Sequence, residues 1–381
     1  MNESDLLPSI QRQILIPHTD AVPRSGEGTA VLRRDGSILL VHTRFVEGGA
    51  DHDPAELVGG TLDLDAGVLR EERVFFPDEN AVNQMCAGLE RLADGDLGMI
   101  FVRRTARDED DIFFSRSRDE GETWSTPVKV NACCDEKFIV VNNDRLRQFT
   151  TGRIAIPVAL YPDRSDRSRP CTLAMFYSDD GGVTWAISQR IKILEKNIAP
   201  PHALHAGAEQ VWKDGCEYYA KEQEPGVEEL ADGRLLMYCR TYIAYMYQAY
   251  SDDGGESWSE LRAATQIVSP CSPQSIRRVP GRRRLVCVFN HRRHIAYGDT
   301  GRFWSWRTPL TLAISDDDAA SWTILGNIED ESHNYCYVSM LFLGERLLLT
   351  YYASRNLIED GKPVRRDLSS LKMQVLDIGA F

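Results

Sequence analysis

The sequence predicts an all-β chain built from six repeated antiparallel units of four strands each. Two repeating patterns and the absence of any long helical period carry that prediction. A strand, a turn and a second strand recur six times along the chain. A tighter turn motif recurs downstream of several of these copies, and nowhere does an apolar period require a helix of more than two turns.

The first pattern reads VLRRDGSILLVHTR (31–44), LERLADGDLGMIFVRR (89–104), RLRQFTTGRIAIPVA (145–159), VEELADGRLLMYCR (227–240), IRRVPGRRRLVCVFN (276–290) and MLFLGERLLLTYY (340–352). Asp-Gly and similar turns between β-rich apolar runs are hairpin signals. Their glycines, Gly36, Gly95, Gly152, Gly233, Gly281 and Gly344, recur on average about every 62 residues, room for one four-stranded sheet per copy. The terminal segments QILIP and LKMQVLDI are placed to share one unit and close the array.

The second pattern is Ser117, Asp119, Gly121, Thr123, Trp124, repeated as Ser178, Asp180, Gly182, Thr184, Trp185 and as Ser251, Asp253, Gly255, Ser257, Trp258. A fourth copy, Ser315, Asp317, Ala319, Ser321, Trp322, lacks the glycine, and Thr61, Asp63, Asp65 form a candidate fifth without the tryptophan. Ser and Asp side chains bond the turn's own backbone, Gly supplies positive φ, and Trp packs into the sheet. The acidic positions do not alternate through to a closing Glu, so the motif reads as a folding device and not a calcium loop.

Composition bounds the function. Hydrophobic residues at 43% and charged residues at 27% describe a globular chain, and the formal charge of −13 repels nucleic acid and anionic membranes. No apolar run reaches membrane-spanning length, and the first residues lack a secretory pattern, so the expectation is a cytoplasmic protein of one domain, 1–381, with no nucleic-acid or membrane partner and an oligomeric state left open. Nine scattered cysteines without a CxxC pair argue for reduced thiols, and no cofactor or metal site is expected. The basic stretch Arg277, Arg278, Arg282, Arg283, Arg284 spans a hairpin turn and reads as a solvated edge.

The Ser/Asp/Gly/Trp turns resemble the Asp-box, or BNR repeat, of the sialidase (neuraminidase) superfamily, from about Arg24 to Tyr352. That resemblance implies a sialidase-like, six-bladed β-propeller with four-stranded antiparallel blades, and a glycoside hydrolase acting on a carboxylate-bearing sugar, exo-acting on small glycans. The segment Glu224 to Arg240 resembles the family's hairpin in which a Glu activates a tyrosine nucleophile and an Arg joins a triad that clamps the substrate carboxylate. Arg307, before the last Asp-box, matches a second triad arginine, and Tyr337 or Tyr335 stands where the family's nucleophile opens the final blade. The family's first triad arginine would fall near Gly26, where this chain has none. Arg24 or Arg145 is the candidate replacement, Arg24 only with the strand shifted by a full pleat period.

The family's acid/base aspartate belongs to the loop that here reads Glu47-Gly-Gly-Ala-Asp51-His52-Asp53-Pro54, which makes Asp53 or Asp51 the candidate. His52, between two carboxylates, suits proton transfer near neutrality. With His202 and His205 on the long insertion and His291 and His294 after the fifth hairpin, it leaves open a lyase that abstracts a proton from a uronic acid. A non-catalytic glycan-binding propeller and a two-carboxylate glycosidase using Asp53 and Glu224 on a neutral sugar are the other readings.

Overall fold

The computed structural model describes residues 6–106, 109–136, 138–161, 171–198, 222–241, 245–291, 307–359, 362–365 and 369–379. Strand β1 (Gln11–Ile16) is followed by β2 (Arg24–Leu32), β3 (Ile38–Phe45), β4 (Ala55–Asp63), β5 (Val68–Phe75), β6 (Asn83–Arg91), β7 (Leu97–Ala106), β8 (Glu109–Ser117) and β9 (Val128–Lys129), of which β2 to β9 form one sheet. A second sheet holds β10 (Phe138–Val140), β11 (Arg147–Gln148), β12 (Ile154–Tyr161), β13 (Thr172–Ser178) and β14 (Ala186–Ile187). A third runs β15 (Gln223–Glu229), β16 (Leu235–Arg240), β17 (Tyr245–Ser251), β18 (Arg262–Val268), and a fourth runs β19 (Ser275–Arg278), β20 (Leu285–Asn290), β21 (Leu310–Ser315), β22 (Thr323–Glu329). The last combines β23 (His333–Leu343), β24 (Arg346–Glu359), β25 (Lys362–Arg365) and β26 (Ser370–Asp377) with β1.

The fold is all-β and propeller-like, but the expectation of six separate four-stranded blades is corrected. Four sheets have blade size, and the first two hairpin repeats lie in a single sheet of eight strands. What joins them is a parallel bridge from Ala55 to Asn83, where the Asn83 amide also donates to the carbonyl of Asp53 at 2.7 Å. Sequence periodicity counts hairpins, whereas sheet continuity depends on such single bridges. Antiparallel pairing of β1 with β26, Gln11 to Val375, ties the chain's two ends together.

The six hairpin glycines adopt φ between +64° and +91°. The Asp-boxes form as their composition predicts. Ser117 Oγ donates to Asp119 Oδ1 at 2.8 Å and accepts from the Gly121 amide at 2.7 Å, while the Thr123 amide donates to Asp119 at 2.8 Å. The copies at Ser178, Ser251 and Ser315 repeat this network. In the fourth, Ala319 takes φ +65° in the glycine's place. The candidate fifth differs: Asp63 accepts from the Ala66 amide and Arg70, and no Ser/Asp exchange is present there.

Apolar clusters fill the space between sheets, for example Phe114, Ile154, Ile156 and Phe176. At one end of the strands that open the hairpin repeats, the inner strands β2, β6, β11, β15, β19 and β23, an ion cluster links several of them: Arg277 donates to Asp144 at 2.6 Å, and Arg147 lies 3.4 Å from Glu228 and 3.8 Å from Glu90. The basic stretch is therefore not uniformly a solvated edge. Arg282 and Arg284 pair with the exposed Glu345 and Asp316 and Arg283 with the buried Asp318, but Arg277 is turned inward, its side chain 13% exposed.

Candidate functional site

At the other end of the inner strands, backbone irregularity places the side chains. Register shifts interrupt β2 against β3 between Gly26 and Thr29, β6 against β7 between Met85 and Gly88, β15 against β16 between Gln223 and Gly226, and β23 against β24 between Cys336 and Ser339. Within each bulge one non-glycine residue has positive φ: Glu27 at +52°, Cys86 at +59°, Glu224 at +46° and Tyr337 at +58°. Bulges re-aim a side chain that regular pleating would send to the other face, and each such conformation costs about 1–3 kcal/mol. All four residues border one cavity of about 200 Å³.

The bulged residues meet in pairs. Tyr337 donates its phenolic hydrogen to Glu224 Oε1 at 3.2 Å, and Arg240 approaches the same oxygen at 2.9 Å while donating to Gln223 at 2.8 Å. The Arg307 guanidinium stacks 5.3 Å from the Tyr337 ring centre and donates to Cys336 Sγ at 3.2 Å. Burial pushes the Tyr337 phenol up, with Glu224 adding to the rise and Arg240 and Arg307 opposing it. Across the cavity Cys86 donates to Glu27 Oε2 at 3.2 Å, and Glu27 Oε1 accepts from Arg24 at 3.1 Å.

Arg24 is buried and fully engaged. It donates to Tyr352 Oη at 2.8 Å, to the Gly49 carbonyl at 3.1 Å and to Asp51 Oδ1 at 2.6 Å, and its guanidinium stacks 4.4 Å from the Phe45 ring. The lack of an arginine at position 26 has a steric cause: a Cβ on Gly26 would fall 1.9 Å from the Tyr352 ring. Arg24, two residues earlier and in regular register opposite Phe45, reaches the rim beside Asp51.

The 47–54 loop separates its two aspartates. Asp53 Oδ2 accepts from the amides of Gly49 and Ala50, both at 2.7 Å, so this carboxylate is spent on holding the loop. Asp51 instead faces Arg24. Burial of the site opposes its ionisation, but Arg24, with Arg104 and Arg307, outweighs that and holds the carboxyl below its ordinary range, while the side chain itself stays 71% exposed at the rim. His52 points outward, 48% exposed and 3.9 Å from Asp53.

Two other sequence candidates also lie elsewhere. Tyr335 is packed among Val338, Tyr351 and Leu349 and donates to Asp330 at 3.1 Å. Arg145 is buried, donating to the carbonyls of Pro225 at 3.1 Å and Gln274 at 2.8 Å, which makes it a tie between inner strands. His202, His205 and His294 fall outside the described residues, as does most of the long insertion. Sequence reasoning missed Glu27, Cys86 and the buried Arg104–Asp110 pair, whose Nε to Oδ1 distance is 2.5 Å. The one signal for Glu27 is its setting, Gly26-Glu27-Gly28, a carboxylate between two glycines inside a strand.

With this geometry established, the chain can be set beside known proteins. The BNR repeat-like domain family matches residues 89–347. This chain belongs to the BNR repeat-like domain family. The anhydrosialidase of Macrobdella decora is 31% identical over 160 residues, 41% of the BNR-repeat chain but only 17% of the anhydrosialidase. Three solved structures share the fold of this BNR-repeat protein. A protein of unknown function from Dyadobacter fermentans DSM 18053 has TM-score 0.71 at 16% identity, covering 97% of this chain and 99% of that one. Trypanosoma rangeli sialidase in complex with sialic acid has TM-score 0.71 at 17% identity over 98% of this chain and 60% of the sialidase. The intramolecular trans-sialidase from Ruminococcus gnavus, in complex with oseltamivir carboxylate, has TM-score 0.68 at 13% identity over 97% and 98%. Among the described residues no helix is long and apolar enough to cross a membrane, and no group of three or more His, Cys, Asp and Glu side chains is arranged to hold a metal ion.

Proposed function

We propose that this protein is a sialidase-like glycoside hydrolase whose substrate is a small glycan ending in a sugar with a carboxylate on its anomeric carbon. The observation that carries the reading is the hydrogen-bonded trio of Tyr337, Glu224 and Arg240, with Arg307 stacked on the tyrosine ring. A phenol suits attack at an anomeric carbon that bears a carboxylate, because an anionic nucleophile would be repelled by it. In this mechanism Glu224 removes the phenolic proton as Tyr337 Oη bonds to the anomeric carbon and the glycosidic C–O bond breaks, Asp51 protonating the leaving oxygen; water then attacks the same carbon, giving its proton to Asp51, as the C–Oη bond breaks and Glu224 returns the proton to Tyr337.

Arg240, Arg307 and Arg24 hold the substrate carboxylate in this reading. Buried guanidinium groups bind carboxylates with fixed geometry, and Arg307 Nε has no hydrogen-bond partner among the described residues. Asp51 is the proton donor for the leaving oxygen, since its carboxyl lies exposed at the rim, paired with Arg24, while Asp53 holds the loop. The substrate carboxylate competes with Asp51 for Arg24, which frees Asp51 to take a proton from solvent and pass it to the glycosidic oxygen.

The test is turnover of an aryl sialoside beside absorbance detection of unsaturated uronate products. Sialoside turnover that drops by about 10²–10⁴ in Glu224→Gln supports the reading. Unsaturated product without sialoside turnover refutes it in favour of a lyase.

A further inference from the structure

Four carboxyl groups and four guanidinium groups meet at the cavity: Glu27, Asp51, Asp110, Glu224, Arg104 and Arg240 line it, Arg24 bonds Glu27 and Asp51, and Arg307 stacks on Tyr337. Their formal charges balance. An anionic sugar adds one negative charge, and in a buried site an uncompensated charge is costly enough that a carboxyl group protonates instead. Three of the four carboxyls are well secured. Asp110 receives two bonds from Arg104, Glu224 is held by Arg240 and Tyr337, and Asp51 is open to solvent.

Glu27 differs in each respect. It is 2% exposed, its Oε2 has only the Cys86 thiol, a weak donor, and its Oε1 shares Arg24 with Asp51 and Tyr352. The groups that face it are Arg24 on its own strand, Asp51 from the 47–54 loop, Cys86 from β6 and Glu224 from β15, with Arg104 acting on Asp51 and Cys86 from β7. Burial already raises its carboxyl above the ordinary range, Asp51 and Glu224 add to the rise, and Arg24 is the main cation opposing it.

We propose that Glu27 is the proton-uptake residue of the site: when a substrate carboxylate takes Arg24, Glu27 loses its stabilising cation and binds a proton. The inference rests on the carboxylate-binding reading above. It makes recognition of the anionic sugar pH-linked through a residue that does not touch the reacting atoms. In the window between Glu27's free and bound titration ranges, the dissociation constant rises up to about tenfold per pH unit.

The experiment is calorimetric titration of the intact protein with the sialidase inhibitor DANA in buffers of equal pH and different ionisation enthalpy. The wild type is expected to take up protons on binding, Glu27→Gln to take up about one fewer, and Asp51→Asn to retain the Glu27 share. Equal uptake in Glu27→Gln and wild type overturns the proposal, as does loss of all uptake in Asp51→Asn. DANA binding without proton uptake overturns this inference alone, whereas no binding at any pH overturns the carboxylate-site reading and this inference with it. If Glu27→Gln does not fold, Cys86→Ala serves: losing the thiol hydrogen bond moves the uptake window to higher pH, and an unmoved window refutes the assignment.

Discussion

Gly26→Ala is a one-carbon change that probes how the site compensates for the arginine missing from position 26. The new Cβ would lie 1.9 Å from Tyr352 Cε1 and 2.2 Å from its Cζ, far inside contact distance. Gly26 lies outside the positive-φ region, so the backbone accepts alanine and the effect is steric. Overpacking costs about 1–3 kcal/mol, and pushing the ring aside also breaks the 2.8 Å bond from Arg24 Nε to Tyr352, about 1.5–3 kcal/mol for a charged donor. Together about 2.5–6 kcal/mol of stability is expected to go, read as a fall in the urea midpoint with unchanged slope. The cost must largely vanish in a Tyr352→Ala background, because the clash partner is gone. A Gly26→Ala protein within about 0.5 kcal/mol of wild type, or one whose loss is the same without Tyr352, refutes this account of the rim.

Three further outcomes are expected. Burial pushes the Glu222 carboxyl up to about 7 from 4.5, so its neutral form favours folding, and stability is highest below pH 4.5 and falls as pH rises through 7. Glu222→Gln removes that fall, gaining up to about 3 kcal/mol at pH 8 and little at pH 4 in urea unfolding. Asp119, Asp180 and Asp253 are held at about 2, for Asp119 and Asp180 chiefly by the Thr hydroxyl of their own turn and for Asp253 by Ser257 and Ser251 against an opposing effect of burial. The stability they contribute is present above pH 4 and disappears as pH falls through 2, which circular dichroism follows, and Asp180→Asn flattens that limb. Ala319→Gly relieves the φ of +65° in the fourth Asp-box and raises stability by up to about 1 kcal/mol, where a loss of stability contradicts the strain argument.

Hairpins and Asp-boxes were legible because their information is local. An Asp-Gly turn or a Ser-x-Asp-x-Gly turn closes within a few residues, so spacing alone locates it. Sheet count was not, since one Ala55–Asn83 bridge merges two repeats. The site divides in the same way. Glu224, Arg240, Arg307 and Tyr337 occupy positions that motif resemblance identifies, but which of Tyr335 and Tyr337 borders the cavity depends on the bulge at Tyr337, and a two-residue register slip is invisible to spacing. Asp51 and Asp53 are indistinguishable by composition, and the division between them arises only when two loop amides capture Asp53. Glu27 escaped notice because its importance comes from neighbours far along the chain, Cys86 and the Arg24 it shares with Asp51 and Tyr352.

The central claim is that Tyr337 is the nucleophile of a sialidase-like hydrolase, and trapping it is the most direct test. The protein is incubated with 2,3-difluorosialic acid, whose fluorines slow turnover of the glycosyl-enzyme, and intact-mass and peptide mass spectrometry then locate any adduct. The account predicts one added sugar per chain on the peptide carrying Tyr337, absent in Tyr337→Phe and retained in Tyr335→Phe. An adduct on Tyr335 or on a carboxylate, or sialoside turnover that survives in Tyr337→Phe, contradicts it.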